Sequence, residues 1–127
     1  MYWEQEIETI SQKALRELQL EKLIKTVAQA YKSPFYKKRL DSAGIKPESI
    51  QSLSDLKKIP FTTKDDLRSA YPDLMVAAPK NEMVRMHSSS GTTGQATVIF
   101  FTRKDLSTWT NLVSRSLYMA GMRPGDA

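Results

Sequence analysis

The chain has 127 residues, 40% hydrophobic and 26% charged, which suits one small globular unit and argues against a disordered segment. It carries 19 Lys and Arg against 14 Asp and Glu, no cysteine and one histidine, which excludes disulfides, thiolate metal sites and a histidine-rich metal centre. The net charge of +5 is spread along the chain, whereas a nucleic-acid arm would concentrate it.

No run of about 18 apolar residues offers a membrane span. The start, Met1-Tyr2-Trp3-Glu4, lacks the basic region and apolar core of a signal peptide. A cytoplasmic protein with no nucleic-acid and no membrane partner is expected. The end at Gly125-Asp126-Ala127 follows a turn signal with no closing element, and a truncation is expected.

Helical signals fill the first half. Ile7, Ile10, Ala14 and Leu18, then Leu20, Leu23, Ile24, Val27 and Tyr31, recur at three- and four-residue steps, predicting an amphipathic helix over about 12–32. Ser33-Pro34 reads as cap and first residue of a second helix carrying Phe35, Tyr36 and Leu40 and closing at Gly44. Lys46-Pro47 breaks the chain. Ser52 to Lys58 predicts two helical turns stopped by Pro60. Thr63-Lys64-Asp65-Asp66 reads as a capping box for a short helix to about Ala70, ended by Tyr71-Pro72.

The character then changes. Met83-Val84-Arg85-Met86-His87 alternates as a half-buried strand, and Thr97-Val98-Ile99-Phe100-Phe101-Thr102 as a more buried one. Thr102-Arg103-Lys104-Asp105 caps a helix through Leu106, Trp109, Leu112, Val113, Leu117 and Tyr118 to Gly121. Neither repeats nor low-complexity linkers are seen.

Between the strands lies Ser88-Ser89-Ser90-Gly91-Thr92-Thr93-Gly94-Gln95-Ala96. Glycines at 91 and 94 permit positive φ and close approach to the backbone. Successive N–H groups in such a turn form an anion-binding concavity, and the hydroxyls add donors. The Walker and dinucleotide glycine patterns both fail here: the glycine step is three, and Gln95 stands where a lysine would. A plain surface turn is the competing reading on composition alone.

The string Ser90-Gly91-Thr92-Thr93-Gly94 resembles the phosphate loop of the adenylate-forming, acyl-activating enzymes. Further blocks resemble the phenylacetate–CoA ligase branch: Leu18 to Leu23, Ser33-Pro34-Phe35-Tyr36, Ser52 to Leu56, Pro60 to Arg68, Tyr71-Pro72, Arg85 to Gly94, Thr97, Phe101 to Leu106 with Trp109, and Ala120 to Asp126. The blocks run in order along the whole chain. Gln95 and Ala96 depart from the Lys-Pro more usual there.

The resemblance implies an α/β fold. It would comprise a mainly helical N-terminal subdomain over 1–80 and, over 81–127, the incomplete start of the ATP-binding domain with its phosphate loop. It implies ATP-dependent activation of phenylacetate or a related aryl acid and transfer to CoA, with ATP, CoA and Mg²⁺ as cofactors. Ser90, Gly91, Thr92, Thr93 and Gly94 would bind ATP phosphates, with Ser89 and Gln95 at the margins. The catalytic lysine and the magnesium ligands would lie outside this segment, leaving it inactive alone. A homodimer or other self-association is expected. The alternatives are a related adenylate former, such as an indoleacetate ligase or the deazaflavin-coenzyme adenylyltransferase, and a non-catalytic binding fragment.

Other constellations read as structural. His87 and Ser88 are neighbours on a strand and point to opposite faces, against a catalytic pair. Asp65 and Asp66 read as capping groups, Lys37-Lys38-Arg39 as a solvated helix face, and Trp109 and Tyr118 as core.

Overall fold

The computed structural model describes residues 2–89 and 96–126. Five helices and one hairpin follow in order: α1 (Gln5–Glu8), α2 (Gln12–Ala30), α3 (Pro34–Ser42), α4 (Lys64–Ser69), β1 (Met83–Ser89), β2 (Thr97–Thr102) and α5 (Arg103–Met119). No helix among the described residues is long and apolar enough to cross a membrane.

Local chemistry sets the helix ends. Ser11 Oγ accepts from Ala14 N at 3.2 Å to cap α2, and Ser33 Oγ accepts from Tyr36 N at 3.3 Å to cap α3. Pro34 opens α3, where its missing N–H costs nothing. Gly44 sits at φ +68°. Its N–H donates to Asp41 O at 3.0 Å and that of Ile45 to Leu40 O at 2.9 Å, the paired bonds of a Schellman stop. Gly121 closes α5 in the same way, with Met122 N donating to Leu117 O at 3.1 Å.

The core lies in the helical half. Val27, Leu40, Ile45 and Ile50 are buried together, with Leu23, Tyr31 and Ile59 against them. The segment Leu53–Lys58 forms the expected two helical turns, as a 3₁₀ run. The physical reason is Asp55, buried to 7% exposure. Its Oδ2 accepts from Gln51 N, Ser52 N and Ser52 Oγ at 3.0, 2.8 and 2.9 Å, tying the segment's start down tightly. Pro47–Ser49 adds a second 3₁₀ turn where only a break was expected.

A clasp joins α3 to α4. Arg39 donates to both carboxylate oxygens of Asp66, at 2.9 and 2.8 Å, and to Phe61 O at 2.6 Å. Arg39 is therefore a structural strut and not part of a solvated face. Asp66 also accepts from Thr63 N at 2.8 Å, completing the expected capping box, while Asp65 accepts from Arg68 at 2.9 Å.

The strands pair antiparallel, with His87 opposite Ile99, Ser88 opposite Val98 and Ser89 opposite Thr97. An irregularity between Met83 and Arg85 leaves Val84 as the extra residue of a bulge. Partners share a face, so Arg85, His87 and Ser89 stand with Phe101, Ile99 and Thr97 on one side of the hairpin. Met86 and Ser88 stand with Phe100 and Val98 on the other.

Candidate functional site

Hairpin geometry decides where the segment between the strands begins and ends. β1 runs two residues further than the alternation at 83–87 predicts, so Ser88 and Ser89 belong to the ladder. The Ser89 and Thr97 pair closes it. The candidate residues Ser90, Gly91, Thr92, Thr93, Gly94 and Gln95 lie outside the described residues. Of the candidate set, Ser89 is described; it is an exposed strand residue.

Both faces of the hairpin are supported. On the His87 side, α5 lays Trp109 against the strands. Trp109 stacks on Phe101 with centroids 5.7 Å apart and 18° between planes. His87 meets Trp109 edge-on at 5.4 Å and Phe101 at 4.9 Å. Such contacts join apolar burial to ring quadrupole complementarity. Trp109 stays 44% exposed, so it is a packing plate on one side and not the enclosed core residue that its helical spacing predicted. Ser88 faces away from His87, which agrees with the sequence argument against a Ser–His pair.

On the opposite side a groove of about 760 Å³ separates the hairpin from the helical half. Val98 and Phe100 line one wall, and Ala30, Leu67, Ala70 and Met75 line the other. Lys25, Glu82, Lys104 and Asp105 stand around it. Nothing in the sequence periodicity signalled this groove, because its walls come from segments far apart in the chain.

The start of β2 holds one hydroxyl of a different kind. Thr97 is 8% exposed, and its Oγ1 is buried without a hydrogen-bond partner. Thr102, at the other end of the strand, is satisfied: it donates to Asp105 Oδ2 at 2.7 Å and accepts from Asp105 N at 3.2 Å. That reciprocal cap fixes where α5 starts.

The N-terminus reaches α5 through polar contacts. Trp3 Nε1 donates to Asn111 Oδ1 at 2.6 Å, Asn111 Nδ2 donates to Glu4 Oε2 at 3.0 Å, and Arg115 pairs with Glu4. Trp3 packs on Tyr118 at 5.8 Å. Sequence reading missed this contact, which joins residues more than a hundred positions apart.

The perturbed ionisations are structural. A side-chain bond from Lys58, then the N–H of Gln51, hold Asp55 well below the usual carboxylate range. Lys46, Tyr31 and Lys37 do the same for Asp41. Asp66 is lowered from 3.8 to about 2, chiefly by Arg39 and then by Thr63 N–H. None of these groups is on the hairpin. Among the described residues no three His, Cys, Asp or Glu side chains converge on a point where a metal ion would sit.

No protein-family model matches the chain. Curated relatives do. The chain is 47% identical over 126 residues to a phenylacetate-coenzyme A ligase of Thermus thermophilus. It is 49% and 46% identical over 121 residues to those of Aromatoleum evansii and Escherichia coli. These alignments cover 94–98% of the chain. The chain spans about 28% of the length of these relatives. A solved structure of 2-hydroxyisobutyryl-CoA ligase, in complex with 2-HIB-AMP and CoA in the thioesterification state, is similar with a TM-score of 0.83 and 31% identity. That similarity covers 93% of this chain and 26% of the other. The fold expectation, a helical cap followed by the first strands and a helix of an adenylate-forming enzyme, agrees with that structure. Nearly the whole chain is thus similar to a stretch of phenylacetate-coenzyme A ligases that makes up about 28% of their length.

Proposed function

We propose that this chain supplies the ATP phosphate-binding segment of an acyl-CoA ligase acting on phenylacetate or a related aryl acid. The observation that carries the reading is the hairpin itself. Two paired strands, braced by Trp109 on one face, bring Ser89 and Thr97 together at the ends of a glycine- and hydroxyl-rich segment. Near-complete alignment with phenylacetate-coenzyme A ligases supports it.

In this reading Ser90, Gly91, Thr92, Thr93 and Gly94 hold the β- and γ-phosphates, with Ser89 and Gln95 flanking them. The carboxylate oxygen of the acid attacks the α-phosphorus of ATP, and the bond to the bridging oxygen breaks, releasing pyrophosphate. The CoA thiol then attacks the acyl carbon, losing its proton to solvent, and AMP leaves. The chain's share of this chemistry is to hold the phosphates in line for displacement and to donate hydrogen bonds to them as charge builds. Magnesium accompanies the ATP, with its ligands outside the described residues.

By itself the chain is expected to be inactive. Residues 1–80 act as a helical subdomain and 81–127 as the opening of the ATP-binding domain. Self-association is also expected: Val84, Met86 and Ile99 are each about half exposed on the hairpin, as are Leu112 and Val113 on α5, a large apolar area to leave in water.

Acid-dependent exchange of pyrophosphate into ATP tests the activity, using the protein at the length of its relatives. A panel of acids and thiols separates phenylacetate from indoleacetate and from other acceptors. Gly94→Val tests the segment, because a β-branched side chain resists positive φ and narrows the path of the phosphates. Its kcat/KM for ATP is expected to fall steeply. An unchanged value returns the segment to an ordinary turn.

A further inference from the structure

Residues 3–8 belong in space with the other end of the chain. Trp3 Nε1 donates to Asn111 Oδ1 at 2.6 Å, and Asn111 Nδ2 donates to Glu4 Oε2 at 3.0 Å. Arg115 pairs with Glu4, and its Nε lies 3.6 Å from Glu8 Oε1. The Trp3 ring packs on Tyr118. Asn111, Arg115 and Tyr118 all lie on α5, so this helix carries a receptor for an aromatic residue followed by an acidic one. Charge fits as well as shape. Residues 2–8 hold Glu4, Glu6 and Glu8 and no cation. Asn111, then Arg115, hold the Glu4 carboxyl below its ordinary range, with Lys22 of α2 adding a weaker field.

This arm is separable from the rest. α1 has four residues, none of them buried, and no side-chain cap, too little to hold itself helical. Thr9, Ile10 and Ser11 join it to α2, and Thr9 and Ser11 are exposed. An arm on a short exposed connector can make the same α5 contacts on a second copy. Seated on its own chain it leaves apolar surface in water. Trp3 and Ile7 are 40% and 46% exposed, and Leu112, Val113 and Leu117 of α5 are about half exposed. Two-fold exchange brings two arms and two α5 helices together. Covering that surface offsets the advantage a tethered arm has on its own chain.

We propose that two copies of the chain pair by exchanging their N-terminal arms, Trp3 and Glu4 of one copy docking on Asn111, Arg115 and Tyr118 of the other. The inference rests on the self-association proposed above and names the segment and the surface that carry it. The pairing is isologous: each copy gives one arm and receives one.

Charge inversion in the protein at the length of its relatives separates exchange from closure. Glu4→Arg sets two cations together and Arg115→Glu two carboxylates, whichever copy the arm docks on. In an equimolar mixture of the two variants, exchange between unlike copies restores both pairs. The substituted side chain at 4 of one copy meets the substituted side chain at 115 of the other, and Glu4 of the second meets Arg115 of the first. Light scattering after gel filtration is expected to read a dimer for the parent and for the mixture. Each variant alone is expected to dimerise about tenfold more weakly or worse. One chain carrying both substitutions is expected to dimerise like the parent, which checks that neither change prevents folding. Glu4→Gln, a milder change that keeps an acceptor for Asn111, is expected to weaken the dimer as well. A monomeric parent overturns the exchange and the self-association together. A dimeric parent whose Glu4→Gln variant is equally tight, or a mixture no tighter than its separate components, overturns the exchange alone.

Discussion

Replacing Ser33 with alanine removes two hydrogen bonds through one atom. Ser33 has no exposed surface. Its Oγ accepts from Tyr36 N at 3.3 Å to cap α3 and donates to Ala30 O at 2.9 Å at the end of α2. Cap removal alone costs about 1–2 kcal/mol. The lost donation to Ala30 O adds about 0.5–1 kcal/mol, since that carbonyl is left without this partner. The cavity is small, so Ser33→Ala is expected to cost about 2 kcal/mol in all. Leu40→Ala gives the scale. Leu40 is 3% exposed in a core of four buried apolar side chains, and its truncation should cost about 3 kcal/mol or more. Leu40 rides on the helix that Ser33 caps, so the two losses should couple, and the double variant should lose less than their sum. Urea denaturation followed by far-UV circular dichroism reads all three. A cost below about 0.5 kcal/mol for Ser33→Ala would refute the cap's role at the α2–α3 corner.

Gly44→Ala isolates backbone strain. An added Cβ meets nothing within 4 Å, so the cost is that of φ +68° alone, about 1 kcal/mol by urea denaturation. Asp66→Asn tests the α3–α4 clasp through pH. The folded carboxyl lies at about 2, below its ordinary 3.8, chiefly through Arg39. A lowered folded value means stability that is fully present above the unfolded value and is lost as pH falls from about 4 towards 2. Urea midpoints across that range should fall less steeply in Asp66→Asn than in the parent; parallel curves would place the acid-sensitive group elsewhere. Trp109→Leu removes the plate under Phe101 and His87. It is expected to speed amide exchange along β1 and β2 while leaving α3 unaffected.

Much of this fold was legible because its punctuation is local. Ser33-Pro34, Thr63 with Asp66, and Thr102 with Asp105 each announce a helix start within four residues, and Gly44 and Gly121 announce stops. The 3₁₀ run at Leu53–Lys58 was not legible as such, because helical spacing cannot foresee one buried carboxylate, Asp55, gathering three donors. Arg39 read as one charge in a basic run, since its partner Asp66 is 27 positions away. Trp109 read as core because a periodic pattern says which face is apolar and not what covers it. At the site, sequence chemistry singled out the segment from Ser89 to Gln95. The unpaired hydroxyl of Thr97 emerges only once the strand register and its burial are known.

The hairpin's two supports differ in kind, and that bears on how a phosphate site can be held here. On one face Trp109, Phe101 and His87 form a stack of rigid rings two residues from the end of β1. Rings have few rotamers to lose, so such a stack fixes position at low entropic cost. On the other face the strands border an open groove, and β2 also contacts α4 there. The ring stack anchors the ladder on the α5 side, and α5 is itself anchored at its start by Thr102 and Asp105 and along its length by Trp3 and Glu4. A chain of contacts thus runs from the N-terminal helix through α5 to the strand that carries Thr97. In a site whose work is alignment of phosphates, displacements near an ångström matter. Disturbing Asn111, far from Ser89 in sequence, should consequently reach the hairpin through α5, read as faster amide exchange along β1 and β2.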